Sequence, residues 1–550
     1  MDKKKFCEPP TSGAGADLDR RNFVRGGLGL AATAGLYPWL GGCDDGDSGS
    51  LPEPVSDEEV FLHGVASGDP DERSLVIWTR VTSPLASRIR VSYELARDAA
   101  FADVVARGER IAESVSDYTA KFVVEGLLPD SVYHYRFWAL GRESPVGQTR
   151  TTAQGAVSAL RLAIVSCASY AHGYFNVYRR IADRDDVDFV VHLGDYIYEY
   201  GPGEYGDQAL IDQRRLDPPH ETVTTEDYRR RYALYRRDPD LQALHARHPM
   251  IAVWDDHEFA NNASRDSAEN HSESAEPEMI VDSSGAEIYL KEGSWLRRKL
   301  AALTAWLEWM PVRESDEVRA GLIYRRFHFG DLADLIMLDT RLCGRDPQVN
   351  LLGALKFSEG RSLMGEAQRG WFLQQLDGTP GWKIVGNQVM FGQLLAGRVS
   401  GDPREDLYLN MDQWDGYQAE RGLVLDHIES KAIQDVVVLT GDIHSAWAMD
   451  ISRDPYRQYD PQTGAGALAV ELVTTSVSSP ALPINAPLQT NPHVRYAETR
   501  HRGYLRLEIG PDQLRADFHC IDSVASRESR EWLDSSCLVE RGRSRLLREA

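Results

Sequence analysis

The chain has 550 residues, of which 42% are hydrophobic and 26% charged. That is enough for two to four domains of ~150 residues and argues against a largely disordered or fibrous protein. The 84 Asp and Glu outnumber the 61 Lys and Arg, for a formal net charge of −23, a field that repels nucleic acid and anionic membranes and disfavours a nucleic-acid-binding regulator. A phosphorylated small substrate stays open, because a local site can oppose the global field.

In chain order, residues 1–43 read as a leader. Asp19-Arg20-Arg21-Asn22-Phe23-Val24-Arg25 precedes an uncharged run from Gly26 to Gly42. Paired arginines ahead of a mild apolar segment look like a twin-arginine export signal. The run holds Pro38 and several glycines and falls short of the ~20 apolar residues of a spanning helix. Leu40-Gly41-Gly42-Cys43 also resembles a lipoprotein cleavage site. Cys43 would then carry a lipid and the polar residues 44–58 would form a linker. These features place the protein in the periplasm, at the cell surface through a Cys43 anchor, or in the medium, with the twin-arginine machinery as an export partner. Losing residues 1–43 leaves the remainder more acidic still. Cys520 and Cys537 are candidates for a disulfide outside the cytoplasm; the cysteines form no dense framework.

Residues 59–150 read as an all-β sandwich. Leu75–Thr79, Ile89–Leu95 and Tyr133–Ala139 are short strand-like runs separated by turn-rich stretches. Gly126-Leu127-Leu128-Pro129 followed by Tyr133 and Tyr135 is similar to fibronectin-type modules. Residues 151–159 form a small-residue linker.

A catalytic domain is expected over 160–525, with 526–550 as a tail. Apolar strands recur that each end in polar, chemically capable residues: Leu162–Ser166 before Cys167, Phe189–Leu193 before Gly194-Asp195, and Met250–Trp254 before Asp255. Later come Leu335–Leu338 before Asp339, Trp382–Val385 before Asn387, and Val436–Thr440 before Gly441-Asp442. Helical stretches intervene, notably Trp295 to Met310, where Trp295, Leu296, Leu300, Leu303, Leu307 and Met310 share helical spacing and the tryptophans read as core. The mixture predicts an α/β core whose sites lie just beyond strand ends. The polar insertion 263–278 is expected to be a mobile loop over the site.

Four strand ends share a chemical theme. Gly194-Asp195-Tyr196-Ile197-Tyr198-Glu199 puts a carboxylate and a phenol three residues apart. Trp254-Asp255-Asp256-His257-Glu258 is followed by Asn261-Asn262, and Gly441-Asp442-Ile443-His444 sets a carboxylate and an imidazole two apart. Cys167 follows the first strand. Hard oxygens of Asp and Asn suit Ca2+, Mg2+ or Mn2+, whereas Cys, Tyr and His suit Fe3+ or Zn2+. A mixed set of this size points to a multinuclear centre with one bridging aspartate, which would neutralise a phosphate and acidify a water in an acidic protein. Taken singly, Asp195 and Asp442 are equally well helix caps, His444 a core histidine and Cys167 a small buried apolar residue. Their order at successive strand ends favours the chemical reading.

These motifs resemble the PhoD-type alkaline phosphatases, a branch of the calcineurin-like metallophosphoesterase superfamily. Further markers are Gly64-Val65-Ala66-Ser67-Gly68-Asp69-Pro70, Trp78-Thr79-Arg80, Trp309-Met310-Pro311-Val312-Arg313, Asp339-Thr340-Arg341, Gly386-Asn387-Gln388-Val389-Met390 and Trp414-Asp415-Gly416-Tyr417. The resemblance implies a four-layer αββα core behind the β-sandwich, and a site holding Fe3+ and Ca2+, with Zn, Mn and Mg as other candidates. On that pattern Asp195 bridges metals, and Cys167, Tyr198 and His444 ligate iron. Asp256, Asp442 and one of Asn261 or Asn262 hold calcium, and His257 contacts phosphate or protonates the leaving group. Arg215 is the phosphate-binding candidate within the arginine-rich 214–237 stretch. Asn387-Gln388 stand where many metallophosphoesterases place a metal-binding histidine, and imply oxygen-rich coordination there. The implied activity is hydrolysis of phosphomonoesters and of phosphodiesters. The alternatives are a phosphodiesterase of phospholipase D type and, from another class, a non-catalytic metal- or phosphate-binding surface lipoprotein.

Overall fold

A computed structural model describes residues 60–82, 87–206, 208, 210–283, 285–349, 354–378, 381–399, 402–481 and 489–548. The leader, Cys43 and the 44–58 linker lie outside them. Among the described residues no helix is long and apolar enough to cross a membrane.

Two sheets face each other with helices outside both, the four-layer αββα arrangement expected. In the larger sheet the strands Leu160–Val165, Phe189–His192 and Met250–Ala252 run parallel, in register Val190 with Ala163 and Met250. In the smaller, seven-stranded sheet Ala333–Met337, Trp382–Gly386, Val436–Thr440 and Ala467–Val473 are parallel neighbours. These strands are buried on both faces and so read as nearly unbroken apolar runs. Leu162, Val190 and Ile251 of one sheet share a core with Ile384, Val437 and Leu472 of the other. A second core, including Phe372, Leu376, Val424 and Ile428, joins the far face of the smaller sheet to the helices Gly365–Gly378 and Gln418–Ser430. Among the described residues an isolated parallel bridge, Ser166 with Ser476, ties the sheets together where their strands end.

The N-terminal region is a sandwich, but its two sheets are not equivalent. Arg88–Ala96, Val104–Glu113 and Val132–Ala139 form a sheet of their own. Val65–Gly68, Ser74–Arg80 and Thr119–Glu125 instead continue the ten-stranded catalytic sheet, because Gly68 pairs in parallel with Met250. Leu75, Ile77 and Val124 pack on Val91, Leu95 and Tyr135 between them.

Three expectations need correction. Residues 526–550 are not a tail: Glu531–Glu540 and Leu546–Arg548 are the outermost strands of the ten-stranded sheet. No disulfide joins Cys520 to Cys537; Cys520 pairs in register with Trp532 and Cys537 with Ala516, so the two are out of step on neighbouring strands. The helix over 295–310 forms as Trp295–Trp309, started by the Ser294 side chain and ended before Pro311. Trp295, Leu303, Trp306 and Trp309 carry its buried face, and Leu296 and Leu300 are 52% and 43% exposed. The larger indole rings win the inward face, and Trp306 stands edge-on to Trp254, directly behind the site.

Candidate active site

Three of the chemically capable segments leave their strands through a conformation most residues avoid. Cys167, Asp195, Asn262, Asp442 and His444 all have φ between 51° and 64°. Such backbone is costly for a side-chain-bearing residue and collects where the surroundings over-determine it. Gly194, at φ 107°, has no alternative: a Cβ there would collide with the backbone nitrogen of Asp255. That close approach brings the ends of the second and third parallel strands together. Glu258 locks the junction, its carboxylate accepting from the backbone N–H groups of Asp195 (2.9 Å), Tyr196 (2.7 Å) and Asp255 (2.8 Å).

Two groups of side chains converge there. In the first, the Tyr198 hydroxyl lies 3.0 Å from Asp195 Oδ2 and 3.0 Å from His444 Nε2, and accepts from Ser479 Oγ at 2.8 Å. Cys167, Asp195 and His444 offer ligand atoms within 4.8 Å of one another. His444 Nδ1 lies 2.9 Å from the Pro480 carbonyl, which can only accept; the proton sits on Nδ1 and the Nε2 lone pair faces the group. Burial pushes His444 down to about 3, so it stays neutral. In the second group, Asp255, Asp256 and Asp442 converge within the same limit. Asp195 belongs to the first group and also approaches Asp256 and His257, the geometry a bridge requires.

His257 stacks on the Tyr198 ring at 4.2 Å between centroids, and its Nδ1 lies 2.8 Å from Glu199 Oε2. Burial opposes its protonation, but Glu199, Asp256 and Asp195 together outweigh burial and raise its pKa. Of the two asparagines, Asn262 caps Asp256 through its backbone N–H (2.6 Å) and Asn261 donates its backbone N–H to Glu199 (2.7 Å). Both side-chain amides reach Glu269. The 263–278 insertion is therefore tied into the site: Asn270 donates to Glu199 at 3.0 Å, and its end enters a short hairpin through Pro277–Val281.

Arg215 is exposed, and none of the described contacts joins its side chain to the cluster. Its neighbours serve the fold: Arg214 pairs with Asp238 and covers the Tyr170 ring, and Arg231 donates to the carbonyls of Tyr198, Tyr200, Pro218 and His220. Asn387 and Gln388 are engaged away from the clustered carboxylates. Asn387 Oδ1 accepts from Trp414 Nε1, and Gln388 bonds Thr340 and the Leu338 carbonyl, so both amides are spent on turning the chain. The arginine that matters is Arg341, from the Asp339-Thr340-Arg341 motif but absent from the expected site. Its buried guanidinium bonds Asp255, Asp412 (2.7 Å) and Asp442 (2.5 Å) and approaches Asp256 at 3.4 Å.

Charge decides whether a metal centre fits. Asp195, Asp255, Asp256, Asp412, Glu199 and Glu258 are buried and Asp442 is half-buried, against Arg341, Arg345 and His257. Asp255 Oδ2 is buried without a hydrogen-bond partner. Burial raises Asp195, Cys167 and Tyr198 above their ordinary ranges, and for Cys167 and Tyr198 the charge of Asp195 adds to it. Such a set ionises together only around added positive charge. Thiolate, phenolate and imidazole on one side and carboxylates on the other fit two unlike cations.

A two-sheet α/β core with this array at its strand ends defines a phosphoric ester hydrolase. The family model described as PhoD-like phosphatase matches residues 162–518, and that of the PhoD-like phosphatase N-terminal domain matches 48–153. Alkaline phosphatase D of Bacillus subtilis (strain 168) is 34% identical over 539 residues, covering 92% of this chain and 85% of that protein. A solved structure, described as that of PhoD, superposes with a TM-score of 0.79 at 32% identity, over 90% of this chain and 93% of its own. The chain belongs to the PhoD-like phosphatase family.

Proposed function

We propose that this phosphatase is exported, depends on two kinds of metal, and hydrolyses phosphomonoesters together with phosphodiesters. The observation that carries the reading is the convergence of Cys167, Asp195, Tyr198 and His444 beside Asp255, Asp256 and Asp442, with Asp195 common to both sides. Cys167, Asp195, Tyr198 and His444 would hold Fe3+. Asp195, Asp256, Asp442 and an asparagine of the 261–262 pair would hold Ca2+. When bound, these cations supply charge that neutralises phosphoryl oxygens and acidifies the attacking water.

The chain's own residues perform the remaining tasks. By holding the cations, Asp195 and Tyr198 would fix the place where phosphorus must sit. His257, oriented through Nδ1 by Glu199, presents Nε2 to the leaving-group oxygen and gives it a proton as the P–O bond breaks. The twin-arginine leader and Cys43 support export and a lipid tether.

Elemental analysis of protein from its native host tests the centre, with a visible charge-transfer band expected and lost in Tyr198→Phe. Asp195→Ala abolishes hydrolysis if the site is assigned correctly; unchanged turnover would refute it. A panel of aryl phosphate, bis-aryl phosphate and phosphatidylcholine separates the activities, and turnover confined to the lipid would replace the monoesterase reading with a phospholipase D-type one. Retention of an Arg20→Lys/Arg21→Lys variant in the cytoplasm checks the export route.

A further inference from the structure

Five rings crowd the mouth of the site. Tyr205 stacks on Tyr198 (5.4 Å between centroids, 23° between planes) and on Tyr200 (4.9 Å, 6°), lies 5.8 Å from His257, and meets the edge of His172 at 5.2 Å. Tyr198 and His257 in this group are held by hydrogen bonds to Asp195, His444, Ser479 and Glu199. Tyr200 is held through its carbonyl, which accepts from Arg231 at 2.9 Å. The side chains of Tyr200 and Tyr205 are fixed, among the described contacts, by ring contacts alone, and Tyr205 is the one on the separate turn.

Its segment is also built apart from the body. Gly203 and Gly206 flank it at φ 80° and 56°, and a Cβ on Gly203 would meet nothing within 4 Å. The turn closes on itself, Gly201 N–H donating to Glu204 (2.6 Å) and Gly203 N–H to Gln208 Oε1 (2.9 Å). A half-buried ring on a glycine-bounded turn therefore rests on the two side chains that define the reaction centre.

We propose that Tyr205 is a specificity-determining residue: its ring is the wall against which the leaving group of the ester packs, and it favours esters whose leaving group is a planar ring. The inference rests on the placement of the leaving group beside His257. An ester with its phosphorus at Asp195 and its leaving oxygen at His257 Nε2 carries the rest of the leaving group into the Tyr198–Tyr200–Tyr205 cluster. Aromatic pairs gain energy beyond the area they bury, and aliphatic alcohols have no face to offer.

The test compares p-nitrophenyl phosphate with glycerol 3-phosphate for the metal-loaded wild type, Tyr205→Ala and Tyr205→Phe. Tyr205→Ala raises KM for the aryl ester about three- to tenfold, leaves KM for the glycerol ester unchanged, and leaves kcat on both near wild type. Tyr205→Phe keeps the ring and behaves as wild type. An equal change on both esters, or a loss in Tyr205→Phe matching that in Tyr205→Ala, overturns the proposal. Thermal melting separates these outcomes from a folding defect, since a defect lowers the amount of active enzyme and leaves KM alone. Wild-type rates on each ester test the phosphatase reading by themselves, whereas the ratio across variants tests Tyr205.

Discussion

Glu199 reaches the chemistry only through another residue. One carboxylate oxygen takes His257 Nδ1, and the other takes the Asn261 backbone N–H and the Asn270 amide. Glu199→Gln keeps an acceptor for the two amides but offers an N–H to His257, which must turn or lose its partner. The expected result is a fall in kcat of about 10- to 100-fold with little change in KM, read by steady-state kinetics on an aryl phosphate. A matching rise in KM would show that Glu199 positions substrate instead. Arg341 acts on the acidic side. It is the internal cation shared by Asp255, Asp412 and Asp442, and removing one partner of a buried charge pair costs about 3–5 kcal/mol. Arg341→Met should therefore melt far below wild type in chelator and recover much of the loss when Ca2+ is added. If calcium shifts both proteins equally, Arg341 does not balance that cluster.

At the scale of elements, the strand ends carried most of what was legible. Asp195, Asp255 and Asp442 stand after unbroken apolar runs because parallel strands buried on both faces admit nothing polar until they end. Partnerships across the sheets were not legible. Asp255 and Arg341 are 86 residues apart in sequence, and nothing in either segment names the other. The 531–540 strand was missed for a related reason: at the sheet margin its first half alternates no apolar face, and only Ser535 onward is largely buried. The segment Trp414–Tyr417 illustrates an electrostatic cost hidden in a motif. Burial pushes the Asp415 carboxyl up to about 7, although Leu394 N–H and Gln418 bond it. Between the ordinary value of 3.8 and about 7 the folded state keeps a proton the unfolded chain releases, so this group's contribution to stability falls as pH rises. Asp415→Asn should match wild type in urea unfolding near pH ~4 and exceed it above pH ~7. A variant less stable at both ends would mean that the carboxylate's hydrogen bonds outweigh its burial.

For the whole molecule, the absence of a Cys520–Cys537 bridge and the presence of strands after residue 525 make opposite demands on an experiment. Reductant should leave the melting temperature unchanged, since no disulfide joins the described cysteines. A shift of more than a degree or so would reveal a crosslink. Truncation after residue 525, by contrast, strips Glu531–Glu540 from its long ladder with Gln513–Ile521 and uncovers Phe518, Leu514 and Ala516 at a new edge. Such an edge invites aggregation, and the truncated protein should partition into the insoluble fraction. Soluble, active material would show that the last strands are dispensable.

The pairing of Gly68 with Met250 sets a timetable for synthesis. On a ribosome the strand Val65–Gly68 emerges early, yet the neighbour it needs on that side is made 182 residues later, and Ile164 waits for Leu505. The polypeptide therefore cannot complete its central sheet as it is born; long stretches of apolar strand must be shielded until the residues around Leu505 have been made. Rapid threading of an unfinished chain would leave those strands without partners, whereas release before docking lets both ends meet.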